Sequence, residues 1–118
     1  NADADYTADS VLNETALNIL SYINDHYRNT SLKETASYFG YTEAHCSRLI
    51  KSVTGQNFTQ LLRNVRMRRA ETLLLTTSNS IEEISYMIGY ENSATFIRLF
   101  KQRNHVTPGK FRQQSALP

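Results

Sequence analysis

Two copies of one eleven-residue pattern decide the fold of this chain: SLKETASYFGY at residues 31–41 and SIEEISYMIGY at residues 80–90. Each copy begins with serine, carries glutamate three residues later, and ends in glycine followed by tyrosine. Serine and glutamate at that spacing predict the capped start of a helix. Glycine predicts its end, because glycine tolerates the left-handed backbone of a tight turn. The pattern therefore predicts a short helix followed by a turn, twice.

A second helix is expected after each turn. Thr42 and Asn92 are residue types that cap helix N-termini. Beyond them the copies match again at an offset of 50, with RLIK at residues 48–51 and RLFK at residues 98–101. A capped helix, a glycine turn and a second, basic helix form the helix-turn-helix layout. A plain helical hairpin explains the caps and glycines equally well, but it does not explain why arginine and lysine recur three residues apart.

The rest of the chain supplies supporting helices. From Ser10 to about Tyr27, apolar residues recur in steps of three and four, which predicts an amphipathic helix. Residues 58–75 contain neither glycine nor proline and predict one helix of about 18 residues, roughly 27 Å long. Pro108 predicts the start of a short last helix through Phe111. The predicted fold is all-α, with about seven helices and no strand.

These helices divide the chain into four predicted parts. Residues 1–9 are expected to be a disordered linker remnant, because they are small or acidic and lack periodicity. Residues 10–57 are predicted to form a first helix-turn-helix subdomain and residues 76–118 a second one. Residues 58–75 are predicted to be a long linker helix between them.

Charge is distributed unevenly along the chain. Residues 1–42 hold six acidic residues against one arginine and one lysine, a net charge of −4, whereas residues 43–118 carry +6. A cationic majority favours a polyanionic partner. The sequence has no apolar run long enough to span a membrane, and a single cysteine, Cys46, is typical of a reducing compartment. We therefore expect a cytoplasmic protein without membrane contact.

The sequence offers no constellation of catalytic residues. It has no paired carboxylates, no Ser/His/Asp set and no glycine loop that would cradle a phosphate. His26, His45 and His105 show no metal-ligand spacing with Cys46 or with one another. We expect a protein that is not an enzyme and that holds neither a cofactor nor a metal.

A series of motifs carries a resemblance to a known family. They are GYT at 40–42, VTGQNF at 53–58, RMRRAETLL at 66–74, ISYMIGY at 84–90, FIRLFK at 96–101 and VTPGKFR at 106–112. In order and spacing they resemble the AraC/XylS family of bacterial transcription regulators, over about residues 11–113. The chain departs from the family at Ser85, where alanine is usual, and at His105, where glycine is usual. We expect His105 to strain the turn before Pro108, since non-glycine residues avoid positive φ.

The resemblance implies a function and partners. It implies sequence-specific binding of double-stranded promoter DNA as the output domain of a regulator, more often an activator than a repressor. Two recognition helices would lie in successive major grooves. It also implies RNA polymerase as a partner, and an N-terminal sensing or receiver domain that is missing from this sequence. The alternative from another class is a protein-docking helical module whose basic face binds an acidic partner.

Bases are expected to be read from the N-terminal halves of the two recognition helices. Arg48 and Arg98 are the leading candidates, because a guanidinium reads guanine O6 and N7 with two hydrogen bonds. Phosphate or solvent contact is the alternative for each of them. The full set of base-reading candidates is Ala44, His45, Ser47, Arg48, Ser93, Ala94, Thr95 and Arg98.

Phosphates are expected to meet a second set of residues. Lys51 and Lys101 lie one turn beyond the arginines, where contact with the DNA backbone is favoured. The starts of the first helix of each copy can also hold phosphates, since helix N-termini attract anions. The residues at those starts are Ser31, Leu32, Ser80 and Ile81.

Overall fold

The described part of the chain consists of helices joined by short turns and loops. The structure is a computed structural model that describes the backbone of residues 2–115 and the side chains of residues 14–115. Within those residues it contains seven helices and no strand, so the all-α prediction is confirmed. The helices are α1 (Ala2–His26), α2 (Leu32–Phe39), α3 (Glu43–Thr54), α4 (Phe58–Thr76), α5 (Ile81–Met87), α6 (Ser93–Asn104) and α7 (Pro108–Ser115).

Helix α1 begins earlier than the sequence predicted. Residues 1–9 were expected to be a disordered lead, but residues 2–9 belong to α1, and residue 1 lies outside the described residues. The structure thus differs from the expectation at residues 2–9. The physical reason is that alanine, found at positions 2, 4 and 8, has the highest helix propensity. Acidic residues near a helix start also interact favourably with the helix dipole.

The last helix is longer than predicted. The sequence placed its end near Phe111, whereas α7 continues to Ser115. Arg112 accounts for the extension, because its guanidinium donates hydrogen bonds to the carbonyls of Leu74 (3.1 Å) and Thr77 (3.2 Å) at the end of α4. The Leu74 carbonyl is in the last turn of α4, where carbonyls lack partners within the helix, and Thr77 follows directly after the helix. The contact therefore stabilises both helix ends.

The chain divides into two compact units. The first unit is Asn1–Arg63 and the second unit is Asn64–Pro118, so that the boundary falls within α4. Each unit contains one copy of the repeated pattern, α2 and α3 in the first and α5 and α6 in the second. The role of residues 58–75 as a linker helix stays a prediction.

In the first unit, α1 packs against α2 and α3 over an apolar core. Two threonines are buried with it, and Thr35 donates a hydrogen bond from Oγ1 to the Ser31 carbonyl (2.8 Å) while its Oγ1 lies 3.0 Å from Thr30 Oγ1. The hydroxyls are thus satisfied, which removes the cost of burying them. The buried apolar residues are Ala16, Ile19, Ile23, Ala36, Cys46, Ile50, Phe58 and Leu61.

In the second unit, aromatic side chains of α6 and α7 form much of the core. Phe96 and Phe100 are fully buried, and Phe100 meets Phe111 edge to face with ring centroids 5.3 Å apart. Edge-to-face pairs of this kind add to the stabilisation from buried area. The buried apolar residues are Met67, Ala70, Leu74, Ile84, Ile88, Phe96, Leu99 and Phe100.

Candidate nucleic-acid interface

The turn between the paired helices has the same hydrogen bonds in both copies. The amide of Tyr41 donates to the Ala36 carbonyl (2.9 Å), and the amide of Tyr90 donates to the Ser85 carbonyl (3.0 Å). The intervening glycines have positive φ, 73° at Gly40 and 104° at Gly89. Because side chains are disfavoured there, glycine is what allows the chain to turn so tightly. The repeated sequence therefore folds into a repeated turn.

The second helices of the two copies are capped in equivalent ways. Thr42 Oγ1 accepts a hydrogen bond from the His45 amide (3.1 Å), and Asn92 Oδ1 accepts one from the Ala94 amide (2.8 Å). Both caps are as predicted, and they satisfy amides at the helix start that have no partner within the helix. The N-terminal ends of α3 and α6, which are the ends expected to meet DNA, are thereby fixed.

The C-terminal ends of these helices also correspond. Gly55 follows α3 with φ 75°, and His105 follows α6 with φ 65°. The amide of each donates to the lysine carbonyl four residues earlier, Lys51 O and Lys101 O. The expectation that His105 occupies a strained position is confirmed, since among the described residues it is the non-glycine residue with positive φ.

The inward faces of α3 and α6 anchor them in their units. Cys46 and Phe96 occupy equivalent positions, and both are fully buried. Burial raises the pKa of the Cys46 thiol. A thiol with a raised pKa and no exposure is a poor nucleophile, so Cys46 is a packing residue.

The predicted base-reading residues all lie on α3 or α6. Ala44, His45 and Arg48 are exposed, and Ser47 is half-buried on the same helix. Residues four apart share one face of a helix, so Ala44 and Arg48 lie side by side on α3. On α6 the structure exposes Ala94 and Arg98 and leaves Ser93 and Thr95 half-buried.

Tyr41 is a neighbour of these residues that the sequence pattern did not indicate. The His45 ring meets the Tyr41 ring edge to face, with centroids 4.9 Å apart. Tyr41 is half-buried and its ring contacts the side chain of a base-reading candidate. The four-residue spacing of two rings across the turn was the signal that could have indicated it.

The predicted phosphate-binding lysines are exposed in the last turns of their helices. The Lys51 ammonium donates a hydrogen bond to the Gly55 carbonyl (3.0 Å), and Lys101 lies at the equivalent place on α6. Cations interact favourably with a helix C-terminus. An ammonium has three donors, so Lys51 keeps two for another acceptor.

The starts of the first helices differ between the copies. Ser31 Oγ accepts from the Glu34 amide (3.1 Å). At Ser80 the bonding is reciprocal, because Ser80 Oγ accepts from the Glu83 amide (3.0 Å) and Glu83 Oε1 accepts from the Ser80 amide (3.1 Å). These hydrogen bonds, first of all the one from the Ser80 amide, lower the pKa of Glu83. The Ser80 amide is thus already bonded to a carboxylate, and a phosphate would have to displace it.

Arginines of the second unit outside the predicted site hold its helices together. Arg103 pairs with Glu71 (Nε to Oε1, 3.3 Å) and donates to Asn64 Oδ1 (2.9 Å), which joins α6 to α4. The Arg66 guanidinium lies 5.1 Å from the centroid of the Tyr90 ring. A cation over an aromatic face is an attractive contact.

The described residues meet neither the requirements of a metal site nor those of a membrane span. Among the side chains that the structure describes, no three His, Cys, Asp or Glu residues come together as a metal site would require. None of the described helices is long and apolar enough to cross a lipid bilayer.

Comparison with known proteins places this arrangement in a family. A family model described as a helix-turn-helix domain matches residues 35–114. A probable transcription factor, PqrA from Proteus vulgaris, is 32% identical over 114 residues, which cover 94% of this chain and 90% of that protein. The C-terminal domain of AraT, a response regulator from Geobacillus stearothermophilus, has a TM-score of 0.82 at 30% identity and 87% coverage of both chains.

Longer relatives contain the same segment. An uncharacterized HTH-type transcriptional regulator from Staphylococcus aureus is 32% identical over 105 residues, which are 87% of this chain but 14% of that protein. The chain therefore spans about one seventh of the staphylococcal regulators that it matches. The repeated helix-turn-helix geometry, the family match over residues 35–114 and the similar proteins agree with one another. The chain belongs to the AraC/XylS family of helix-turn-helix DNA-binding transcription regulators.

Proposed function

We propose that this chain binds double-stranded DNA in a sequence-specific manner, as the output domain of a bacterial transcription activator. The observation that supports the proposal is that an exposed arginine and an exposed lysine recur at the same positions of two equivalent helices. Arg48 and Lys51 on α3, and Arg98 and Lys101 on α6, are exposed on the second helix of a helix-turn-helix. In this motif the second helix enters the major groove. We propose that α3 and α6 enter successive major grooves.

Electrostatics support a polyanionic partner. The chain has a net charge of +2, which is the sum of −4 over residues 1–42 and +6 over residues 43–118. The positive part contains α3, α4, α6 and α7. Such a charge raises the rate of encounter with DNA and releases counterions from it on binding. Its effect is independent of base sequence, so selectivity has to come from the side chains on α3 and α6.

The predicted residues have separate tasks in this proposal. The arginines read base edges, helped by their neighbours on the same helices, and the lysines at 51 and 101 hold phosphates. Four residues at the starts of α2 and α5 stay predicted phosphate contacts: Ser31, Leu32, Ser80 and Ile81. Ser80 is the weakest of these candidates, because its amide already donates a hydrogen bond to Glu83.

The whole regulator would act through further parts. We propose that it carries an N-terminal sensing or receiver domain, works in the cytoplasm and recruits RNA polymerase to a promoter. The support is that the staphylococcal relative is far longer than this chain and that the AraT structure is the C-terminal domain of a response regulator.

Selection of bound fragments from random duplexes, followed by titration at several salt concentrations, tests the proposal. We expect one enriched sequence to be preferred over competitor DNA by at least about 10³-fold. We also expect log affinity to fall linearly with log salt concentration. Binding without any sequence preference, or stronger binding to an acidic protein than to duplex DNA, would instead support the docking-module alternative.

A further inference from the structure

The two recognition helices, α3 and α6, carry the same residue at two of four corresponding positions on the faces expected to meet DNA. Residues of α3 and α6 correspond at an offset of 50. Alanine and arginine are the same in both helices, whereas the counterparts of His45 and Ser47 differ. The four α3 candidates Ala44, His45, Ser47 and Arg48 correspond to Ala94, Thr95, Ile97 and Arg98 in α6. Ile97 is half-buried and was not among the predicted base-reading residues; it is included here as the counterpart of Ser47.

The identical residues form a pair with defined chemistry. Ala44 and Arg48 are exposed on one face of α3, as Ala94 and Arg98 are on α6. Four residues of helix advance roughly 6 Å, which is about two base-pair steps of 3.4 Å. An alanine methyl contacts the methyl group of thymine, and arginine reads guanine. Each pair can therefore select one thymine and one guanine within about two base pairs.

Each helix is held in its own unit in the same way. The turn bonds to Tyr41 and Tyr90 have the same pattern, and the N-caps Thr42 and Asn92 stand one residue before the helix in both copies. The inward positions are also equivalent, since Ile50 and Phe100 are both buried. Because first helix, turn and second helix repeat, each alanine–arginine pair occupies the same place in its motif.

The remaining positions have different surroundings. The His45 ring is held by the edge-to-face contact with Tyr41, 4.9 Å between centroids. The equivalent tyrosine, Tyr90, instead packs beside Phe96 (6.4 Å) and under the Arg66 guanidinium. Thr95 is shorter than histidine and has a methyl group beside its hydroxyl. The base next to the shared pair therefore meets a ring nitrogen in one half-site, and a hydroxyl and a methyl in the other.

We infer that the DNA target consists of two half-sites with the same thymine–guanine core and different flanking bases. Ala44 with Arg48 reads the core in one half-site, and Ala94 with Arg98 reads it in the other. His45 and Ser47 set the flank of the first half-site, and Thr95 with Ile97 sets the flank of the second. This inference rests on the proposed function and adds the composition of the target to it.

Selection from random duplexes tests the inference with the wild-type chain and the double variant His45→Thr/Ser47→Ile. In the variant, α3 carries the α6 residues at these four corresponding positions. We expect the wild type to select two half-sites with a common core, and a core-base change to lower affinity by about 5- to 150-fold. The variant is expected to select half-sites whose flanks have become alike. The reciprocal variant Thr95→His/Ile97→Ser should make the flanks alike in the other direction, and it repeats the test if the first variant folds poorly.

Ser52→Gln is the matched control. It also replaces an α3 residue by its α6 counterpart, Gln102, but at an exposed position beyond the reading set, so the selected sequence should stay unchanged. Wild-type half-sites with unrelated cores would overturn the inference, and so would flanks that neither double variant alters. Failure to enrich any sequence would contradict the proposed sequence-specific DNA binding itself. That outcome can be told apart from failure of the half-site inference, in which sequences are enriched but their cores or flanks differ from those expected.

Discussion

At the scale of single residues, His105 has a backbone conformation that is unfavourable for a residue with a side chain. It follows α6 with φ 65°, where Gly55 follows α3 with φ 75°. A side chain in the left-handed region costs roughly 1 kcal/mol, so His105→Gly is expected to raise the free energy of unfolding by up to about that amount. Chemical denaturation measures it. His105→Ala keeps the strain and is the control; if the glycine variant is no more stable than the alanine variant, the strain is not there.

Glu83 makes the stability of the second unit sensitive to acid. Hydrogen bonds from the Ser80 amide and from Asn79 lower its pKa below the usual value of 4.5. A group with a lowered folded-state pKa stabilises the fold above its unfolded pKa, and the effect is lost as pH falls through the folded value. Glu83→Gln should therefore be less stable than wild type at neutral pH.

Denaturation of that variant across the acid range checks the sign. The difference from wild type should narrow below about pH 4.5 and vanish once Glu83 is protonated. Glu82→Gln removes the same charge from the same helical turn and leaves the cap in place, so it serves as the control. A Glu83→Gln deficit that is independent of pH would contradict the assigned hydrogen bonding.

At the scale of elements, the first helix of each copy carries a small buried residue, which we expect to allow a close crossing of the paired helices. Ala36 and Ser85 are each 1% exposed and occupy equivalent positions in α2 and α5. Ser85→Leu should lower the free energy of unfolding by about 1–3 kcal/mol, since a larger side chain overpacks the crossing. Ser85→Ala, measured by the same denaturation, should change it by less than about 1 kcal/mol, because it removes only a long hydrogen bond to the Tyr90 carbonyl (3.4 Å). Equal effects of the two variants would argue against a tight crossing.

The elements that could be predicted from the sequence are those with local signals. A helix cap bonds to residues no more than four positions away, so it can be recognised from a short stretch of sequence. The structure has α2 and α3 where the caps Ser31, Gly40 and Thr42 predicted them. Contacts between distant residues had no such signal. Arg103 meets Asn64 across 39 residues, and the extension of α7 depends on Arg112 reaching α4. Both follow from packing, which periodicity does not encode. The start of α1 was missed for another reason, because acidic composition was given more weight than the helix propensity of alanine.

At the scale of the whole molecule, two reading helices in one chain predict a target in two halves. We expect the half-sites to lie about one helical turn apart, roughly 34 Å, because a long helix is predicted to link the two copies. Inserting five base pairs between the half-sites should turn one of them to the far side of the duplex and lower affinity sharply. Inserting ten keeps the face and controls for the added length. Affinity unchanged by five base pairs would contradict two-groove binding.

The central claim is that α3 and α6 each read bases, and footprinting with titration of four variants tests it most directly. On the selected duplex, Arg48→Ala or Arg98→Ala should cost roughly 1–3 kcal/mol of binding free energy and relax base preference in one half-site only. Lys51→Ala or Lys101→Ala should weaken binding to all sequences alike and reduce the salt slope by about one unit. If both arginine variants lose affinity uniformly and keep full base preference, the arginines hold the DNA backbone and the account of reading is wrong.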